Sequence, residues 1–324
     1  MKKILVVRFS SIGDIVLTTP VVRCLRQEFP RAEIHYLTKS SYKVLLVQNL
    51  YIDKIHTIKK DIGEVIDDLK QENFDFIIDL HHNLRTFRLK LRLHTKSYQF
   101  PKVNFKKWLL TVFKINKMPD KHIVDRYFEC VNELGVVNDL KGLDYFIPKQ
   151  DEINLKQYHI PDDFIVFVIG AKFATKRLPT QKIIDIVKQI PHTVVLLGGK
   201  EDKNRGREIA DACSNVIKLC GDLNLNQSAS IIKQAQKVIT HDTGLMHIAS
   251  AFNIPIISIW GNTVPEFGMY PYMPQAPNNY SIHEIKNLKC RPCSKIGYQS
   301  CPKSHFKCMT QQNVKEIVKN IKDC

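Results

Sequence analysis

Val238-Ile-Thr-His-Asp-Thr-Gly-Leu-Met-His247 is the stretch on which the fold turns. A β-rich run over residues 237–240 passes through an acidic, glycine-containing turn into an apolar helical pattern at residues 244–252. A helix that starts in such a turn presents its first backbone N–H groups and the positive end of its dipole to whatever lies ahead of it, which suits a phosphate. Asp242 or Thr243 is placed to cap the helix, and Gly244 leaves room for a ligand to approach the backbone. The same residues also fit an ordinary capped strand-to-helix turn, so their meaning depends on the surrounding sequence.

Outward from this turn, strand-like runs at residues 164–169, 193–197, 216–219 and 255–260 alternate with helical patterns at 180–189, 201–212 and 226–236. The first half repeats the alternation, with strands at 3–8, 33–37, 54–58 and 74–80 and helices at 14–29, 41–48 and 63–71. Alternating βα units predict parallel sheets covered by helices, an α/β fold. Two further helices are expected at 105–113 and 121–134, and residues 141–157 read as a connection. The expected organisation is therefore two Rossmann-like domains, residues 1–155 and 156–324, with a final helix at 311–322 packing back on the first domain. Ligands of open parallel sheets sit beyond the carboxyl ends of the strands, so two facing units are expected to form one cleft.

The chain has 324 residues, of which 44% are hydrophobic and 25% charged, the composition of a globular protein. Its longest apolar runs, 164–169 and 254–260, are far short of the ~20 residues needed to cross a bilayer. The start, Met-Lys-Lys-Ile-Leu-Val-Val-Arg, is interrupted by charge too early for a signal segment and reads as a first strand. A net charge of +16, with Lys, Arg and aromatic residues concentrated at 85–121, calls for an anionic partner. Nucleic acid, anionic lipid headgroups and a phosphorylated acceptor all satisfy charge alone. Neither an aromatic-rich RNA signature nor a zinc-finger spacing of the C2H2 type is present, and no nucleic-acid partner is expected. The cysteines are expected as thiols; four of them, Cys290, Cys293, Cys301 and Cys308, form C-x2-C-x7-C-x6-C, which fits either a structural zinc or packed reduced thiols.

A second turn, Phe9-Ser10-Ser11-Ile12-Gly13-Asp14, leaves the first strand for the first helix at the carboxyl edge of the sheet. Asp14 there is either a helix cap or a general base aimed at a substrate hydroxyl. The turn lacks the G-x-G-x-x-G spacing, which argues against a dinucleotide-dependent oxidoreductase.

Together, S-S-I-G-D-I-V-L-T-T-P at residues 10–20 and H-D-T-G-L-M-H-I-A at 241–249 resemble the signature pair of the family 9 glycosyltransferases, the ADP-heptose:lipopolysaccharide heptosyltransferases. L-G-G-K-E-D at 197–202 and the order of the βα units extend the resemblance over nearly the whole chain. It implies a GT-B fold and an inverting sugar transfer without metal or cofactor, the donor being ADP-heptose. Carried over by position, Asp14 matches the family's general base, and Ser10 and Ser11 match a pair near the donor phosphates. Asp242, Thr243, Gly244 and His247 match the motif that grips the nucleotide diphosphate, with the N–H groups through Leu245 and Met246 included. Lys176 matches a lysine touching the diphosphate, although Lys172 and Arg177 in the same loop remain alternatives. Glu201 matches the acid that holds the ribose.

The resemblance also gives the basic region a purpose, since family acceptors are phosphorylated or acidic inner-core sugars on a lipid. Arg85 and Arg88, one turn apart, and His122 and Arg126, an i, i+4 pair, are the expected acceptor-binding residues. Each also fits a solvated basic helix face. The expected protein is a cytoplasmic transferase in peripheral contact with the anionic inner face of the inner membrane. Its rivals are a GT-B transferase with another nucleotide sugar or acceptor, and a non-catalytic basic binding protein on the same scaffold.

Overall fold

The computed structural model describes residues 1–322. In chain order its elements are β1 (Lys3–Val7), α1 (Ile12–Val16), α2 (Thr19–Glu28), β2 (Glu33–Lys39), β3 (Lys54–Ile58), α3 (Ile66–Gln71), β4 (Phe76–Asp79), α4 (Leu84–Leu93), β5 (Ser97–Gln99), α5 (Asn104–Phe113) and α6 (Ile123–Phe128). They continue with β6 (Phe164–Val168), α7 (Thr180–Val187), β7 (Thr193–Leu197), α8 (Lys203–Ala212), β8 (Val216–Lys218), α9 (Leu225–Gln234), β9 (Lys237–His241), α10 (Gly244–Ala251), β10 (Ile256–Trp260), β11 (Tyr280–Glu284), α11 (Lys307–Thr310) and α12 (Val314–Lys322).

Two compact units result, Met1–Lys102 with Lys121–Phe146, and Val103–Asp120 with the chain from Ile147 onward. The first is built on a sheet of order β3-β2-β1-β4-β5 and the second on β11-β10-β9-β6-β7-β8. Every pairing in both is parallel. Central strands of a parallel sheet are covered on both faces and so need apolar side chains at every position rather than at alternate ones. Phe164-Ile-Val-Phe-Val168 and Ile4-Leu-Val-Val7 satisfy this, and both runs are buried throughout. The register sets Val7 beside Leu37 and Asp79, and Ile259 beside His241, which brings the carboxyl ends of the central strands level.

Several expectations are corrected. The boundary expected after residue 155 lies at residue 146, and residues 103–120 belong to the second unit, where Leu110 packs on Val264 and Phe267 beside Met118. The final helix, expected to pack back on the first domain, contributes to the core of its own unit, where α12 inserts Ile317, Val318 and Ile321 among Ile183, Ile186 and Val187 of α7 and Ile257 and Ile259 of β10. The helix expected over 14–29 breaks in two. Thr18 turns its hydroxyl back to the Ile15 carbonyl, 2.7 Å, and Pro20, which has no N–H to donate, sits in the first turn of α2 where none is needed. Residues Ser40–Leu45 form a 3-10 helix in place of the α-helix expected at 41–48.

Candidate active site

The turn that opened the sequence reading joins β9 to α10. Thr243 is the N-cap residue, with φ −140° and ψ 171°, and its side chain makes no capping hydrogen bond. The first N–H groups of a helix have no partner within it, so those of Gly244, Leu245 and Met246 point ahead of α10. The helix itself is anchored from behind, with Met246 and Ala249 in the core beside Val238 and Trp260, and with His247 buried.

Asp242 does not cap α10. Its Oδ2 accepts from Lys176 Nζ at 2.5 Å and from Thr263 Oγ1 at 2.8 Å, and Lys176 Nζ also reaches the Asp242 carbonyl at 3.3 Å. Lys176 and Asp242 side chains are only 16% and 12% exposed, so the pair is held in a mostly desolvated position where its charges are felt strongly. Arg177 turns elsewhere, donating from Nε to the Ala171 carbonyl at 2.6 Å, and the exposed Lys172 lies over the Phe173 ring at 5.5 Å. Among the three cations of this loop, Lys176 is the one seated at the Asp242 turn. The loop is tied to β9 by His241, whose Nε2 accepts the Leu178 N–H at 3.0 Å. Burial, with the Arg205 charge behind it, pushes the His241 pKa down to about 3, so the ring is a neutral acceptor.

Glu201 is exposed, with its carboxylate folded over Gly199, where an added Cβ would lie 2.4 Å from Oε2. The buried acid of this loop is its neighbour Asp202, which accepts the Gly199 N–H at 3.0 Å. Asp202 fits only because Gly170 and Gly198 lack side chains, since a Cβ on either would stand 2.3 or 2.8 Å from it. Burial raises its pKa, against the pull of the Gly199 N–H and Arg177. Next to Thr263, the Asn262 side chain is 1% exposed and neither of its polar atoms has a partner among the described residues. The sequence reading met Asp202 only as the end of the L-G-G-K-E-D element and did not single out Asn262 or Thr263, which lie just past β10.

In the first unit, Asp14 is the third residue of α1, and its Oδ2 accepts from both the Ser11 N–H, 3.1 Å, and the Ser11 hydroxyl, 2.6 Å. Its Oδ1 forms an ion pair with Arg8. Arg8 is 8% exposed and fixed by donating Nε to the Ser10 carbonyl at 2.9 Å and Nη1 to the Leu80 carbonyl at 2.5 Å. Burial opposes its charge, but Asp14 foremost, then Tyr127, Tyr36 and Asp79, more than compensate and leave its pKa raised. His81 is driven down to about 3 by burial and by the Arg8 and Lys102 charges. The sequence reading used Arg8 only as the charge that ends a strand and did not single out His81.

Of the expected acceptor residues, Arg85 is half-buried with its guanidinium 5.8 Å from the Phe9 ring, and Arg88 is exposed on α4. His122 and Arg126 are not an exposed pair. Both are 2% exposed; His122 caps α6 by accepting the Val124 N–H on Nδ1 at 3.2 Å, and burial lowers the Arg126 pKa. Their i, i+4 spacing places them on one face of a helix, and that face is turned inward.

Among the described residues, His35, His56 and Glu72 and the cysteine loop bring metal-capable side chains together. His35, His56 and Glu72 bring their ligand atoms within 4.8 Å of one another, but Lys54 and Lys3, the latter at 2.9 Å, already hold the Glu72 oxygens, and two ammonium groups oppose a further cation. In the cysteine loop the Cys293 thiol donates to the Cys290 carbonyl at 3.0 Å, and Cys290 Sγ lies 3.7 Å from His305 Nε2. Burial first, then Cys290, pushes the Cys293 pKa up to about 12, and burial pushes Cys308 up to about 11.

Two all-parallel sheets with interleaved helices, each carrying an acid-to-cation pair at a strand-to-helix turn, are two Rossmann-like units. The sequence matches the model of glycosyltransferase family 9 (heptosyltransferase) over residues 62–298, and the chain belongs to that family. That span contains Lys176 and the Asp242 turn and begins after Asp14. Lipooligosaccharide heptosyltransferase 2 of Haemophilus influenzae is 26% identical over 298 residues, covering 82% of this chain and 84% of the relative. Among solved structures, a family 9 glycosyltransferase from Veillonella parvula superposes with a TM-score of 0.73 at 22% identity, covering 87% of this chain and 85% of that one. The ADP-heptose lipopolysaccharide heptosyltransferase II of E. coli superposes at 0.68 and 19% identity over 99% of both chains.

Proposed function

We propose that this enzyme transfers a heptose from ADP-heptose to an inner-core sugar of a lipopolysaccharide acceptor, with inversion and without a divalent metal. The observation that carries this reading is the Lys176–Asp242 pair beside the uncapped start of α10. The N–H groups of Gly244, Leu245 and Met246 and the Lys176 ammonium are donors already oriented toward a diphosphate. They meet the charge that grows on ADP as the C1–O bond breaks, the task a metal performs in other transferases. Ser10 and Ser11 are assigned to the donor phosphates, and Glu201, exposed and beside Gly199, to a ribose hydroxyl.

Asp14 is the proposed base. An acceptor hydroxyl that displaces the Ser11 hydroxyl from Oδ2 would deliver its proton there as its oxygen bonds to C1, while the Arg8 ion pair on Oδ1 fixes the carboxylate. The Ser11 interaction is local and replaceable; the Arg8 interaction is buried and is not. Arg85 and Arg88 bind the acidic acceptor, which places the enzyme against the inner face of the inner membrane. No described helix is long and apolar enough to cross a membrane.

The test is transfer itself. Purified protein, ADP-heptose and lipid acceptor are combined in EDTA, and the product is read by mass spectrometry and by the anomeric NMR coupling. A mass gain of one heptose with inverted configuration is expected. Absence of transfer in EDTA that returns with a divalent ion contradicts the metal-independent reading.

A further inference from the structure

The segment from Pro101 to Pro119 carries five lysines and no acidic residue. It contains α5, which rests on the second unit through its buried Leu110, while Lys107 Nζ lies 5.5 Å from the Phe267 ring. Among the described residues, nothing covers the outer face of α5. Phe105, Trp108 and Val112 stand at i, i+3 and i+7 and are 69%, 42% and 53% exposed, and Phe113, the last residue of the helix, and Ile115 just beyond it are 56% and 48% exposed. The rings are associated with one another in solvent, Phe105 and Trp108 at 5.8 Å and Trp108 and Phe113 at 5.1 Å. So large a contiguous apolar surface marks an interaction site.

Two features hold this face rigidly. Lys114 caps the end of the helix onto the cysteine loop, donating to the Pro292 carbonyl at 2.7 Å, and Lys295 donates to the Asn104 carbonyl at 3.3 Å. The second contact brings the loop carrying Ile296, 62% exposed, to the start of α5. A helix of ten residues is about 15 Å long, half the thickness of a hydrocarbon core, so it can lie in a bilayer interface but not span it. Aromatic side chains flanked by lysines without acids are the composition of such an interfacial helix at an anionic surface.

We propose that α5 is the membrane anchor of this enzyme, with Phe105, Trp108, Val112 and Phe113 inserted among acyl chains and Lys106 and Lys117 on the headgroups. The inference deepens the reading given above by naming the element that meets the bilayer; it rests on that reading only for the presence of a lipid acceptor there.

The chain has two tryptophans, and Trp260 is 1% exposed, so Trp108 alone can respond to a membrane. Full-length protein is titrated with phosphatidylglycerol-containing vesicles, with and without bromine on the acyl chains, and with phosphatidylcholine vesicles. The expected result is a blue shift of emission with quenching by brominated lipid, weaker on the neutral vesicles. F105S with F113S retains the probe, and its vesicle partitioning should fall on the order of tenfold or more. Transfer to a deacylated, soluble acceptor should be unchanged in this variant. Emission unaltered by phosphatidylglycerol vesicles, or equal partitioning of the double variant, overturns the proposal. Membrane insertion of Trp108 in a protein that transfers no heptose supports it and counts against the proposed reaction alone.

Discussion

The turns after β1 and β9 look alike and work in opposite ways. Each leads from a central parallel strand into a helix, and each holds an aspartate paired with a mostly buried cation, Arg8 with Asp14 and Lys176 with Asp242. In the first turn the aspartate lies inside the helix and reaches back to the Ser11 N–H, so the helix start is closed by its own acid. In the second the aspartate precedes the helix and is bound by Lys176 and Thr263, and the helix start stays open. A shift of the acid by a few positions across the N-cap separates a turn that presents a carboxylate from a turn that presents N–H groups. The first suits a hydroxyl that must lose a proton, the second a diphosphate that gains charge.

The widest gap between the two turns should appear on removing their acid and cation in turn. Asp14→Asn retains the Ser11 contacts and lowers turnover about 10²- to 10⁴-fold, with ADP affinity nearly unchanged, as read by steady-state kinetics beside a binding titration. Wild-type turnover in a folded variant would reduce Asp14 to a cap. Lys176→Ala should do the reverse, weakening ADP by about ten- to a hundredfold, the range for a hydrogen bond to a charged group. An unchanged ADP affinity would separate Lys176 from the diphosphate.

A histidine near each turn, half-buried His81 after β4 beside Phe9 and buried His241 at the end of β9, gives both a pH dependence. His81 and His241 are both held near 3 by burial, against an ordinary value of 6.5. A depressed histidine is neutral in the folded protein, so its contribution is complete above pH 6.5. It is lost as pH falls from there toward 3, because only the unfolded chain takes up the proton. The unfolding temperature should therefore fall progressively from pH 7 to pH 4, and His241→Gln, whose amide oxygen can still accept the Leu178 N–H, should flatten the slope. A slope identical to wild type would remove His241 from the account. The smallest effect is expected at the rim of the first turn, where Arg85→Ala with Arg88→Ala should raise the acceptor KM about two- to fivefold without moving ADP affinity, in line with exposed ionic contacts. Equal loss of ADP affinity would place these arginines at the donor.

Much of this contrast could be read from the sequence, because the central strands and the turns that follow them carry their own signals. Phe164–Val168 is apolar at every position, and Gly244 marks the β9–α10 turn. The edge strands β5 and β11, Ser-Tyr-Gln and Tyr-Ser-Ile-His-Glu, are short or half-polar and gave no such pattern. Periodicity located α5 but could not assign it to the second unit, since Leu110 is one apolar residue among several and only its contacts with Val264 and Phe267 decide the matter. His122 and Arg126 show the same limit from the other side: spacing gives a common face and says nothing of whether that face meets water or core. The roles of Arg8 and Asp202 depend on backbone the spacing does not reveal, the distant Leu80 carbonyl that accepts from Arg8 in one case, and in the other the Gly199 N–H that donates to Asp202 and the room left by Gly170.

The account stands most directly on the open start of α10, and calorimetric titration of the purified protein with ADP, AMP and adenosine in EDTA measures it. ADP should bind far more tightly than AMP or adenosine with no divalent ion present if the Gly244–Met246 N–H groups and Lys176 hold the diphosphate as proposed. Adenosine binding as tightly as ADP, or ADP binding that emerges only when a divalent metal is added, would contradict it.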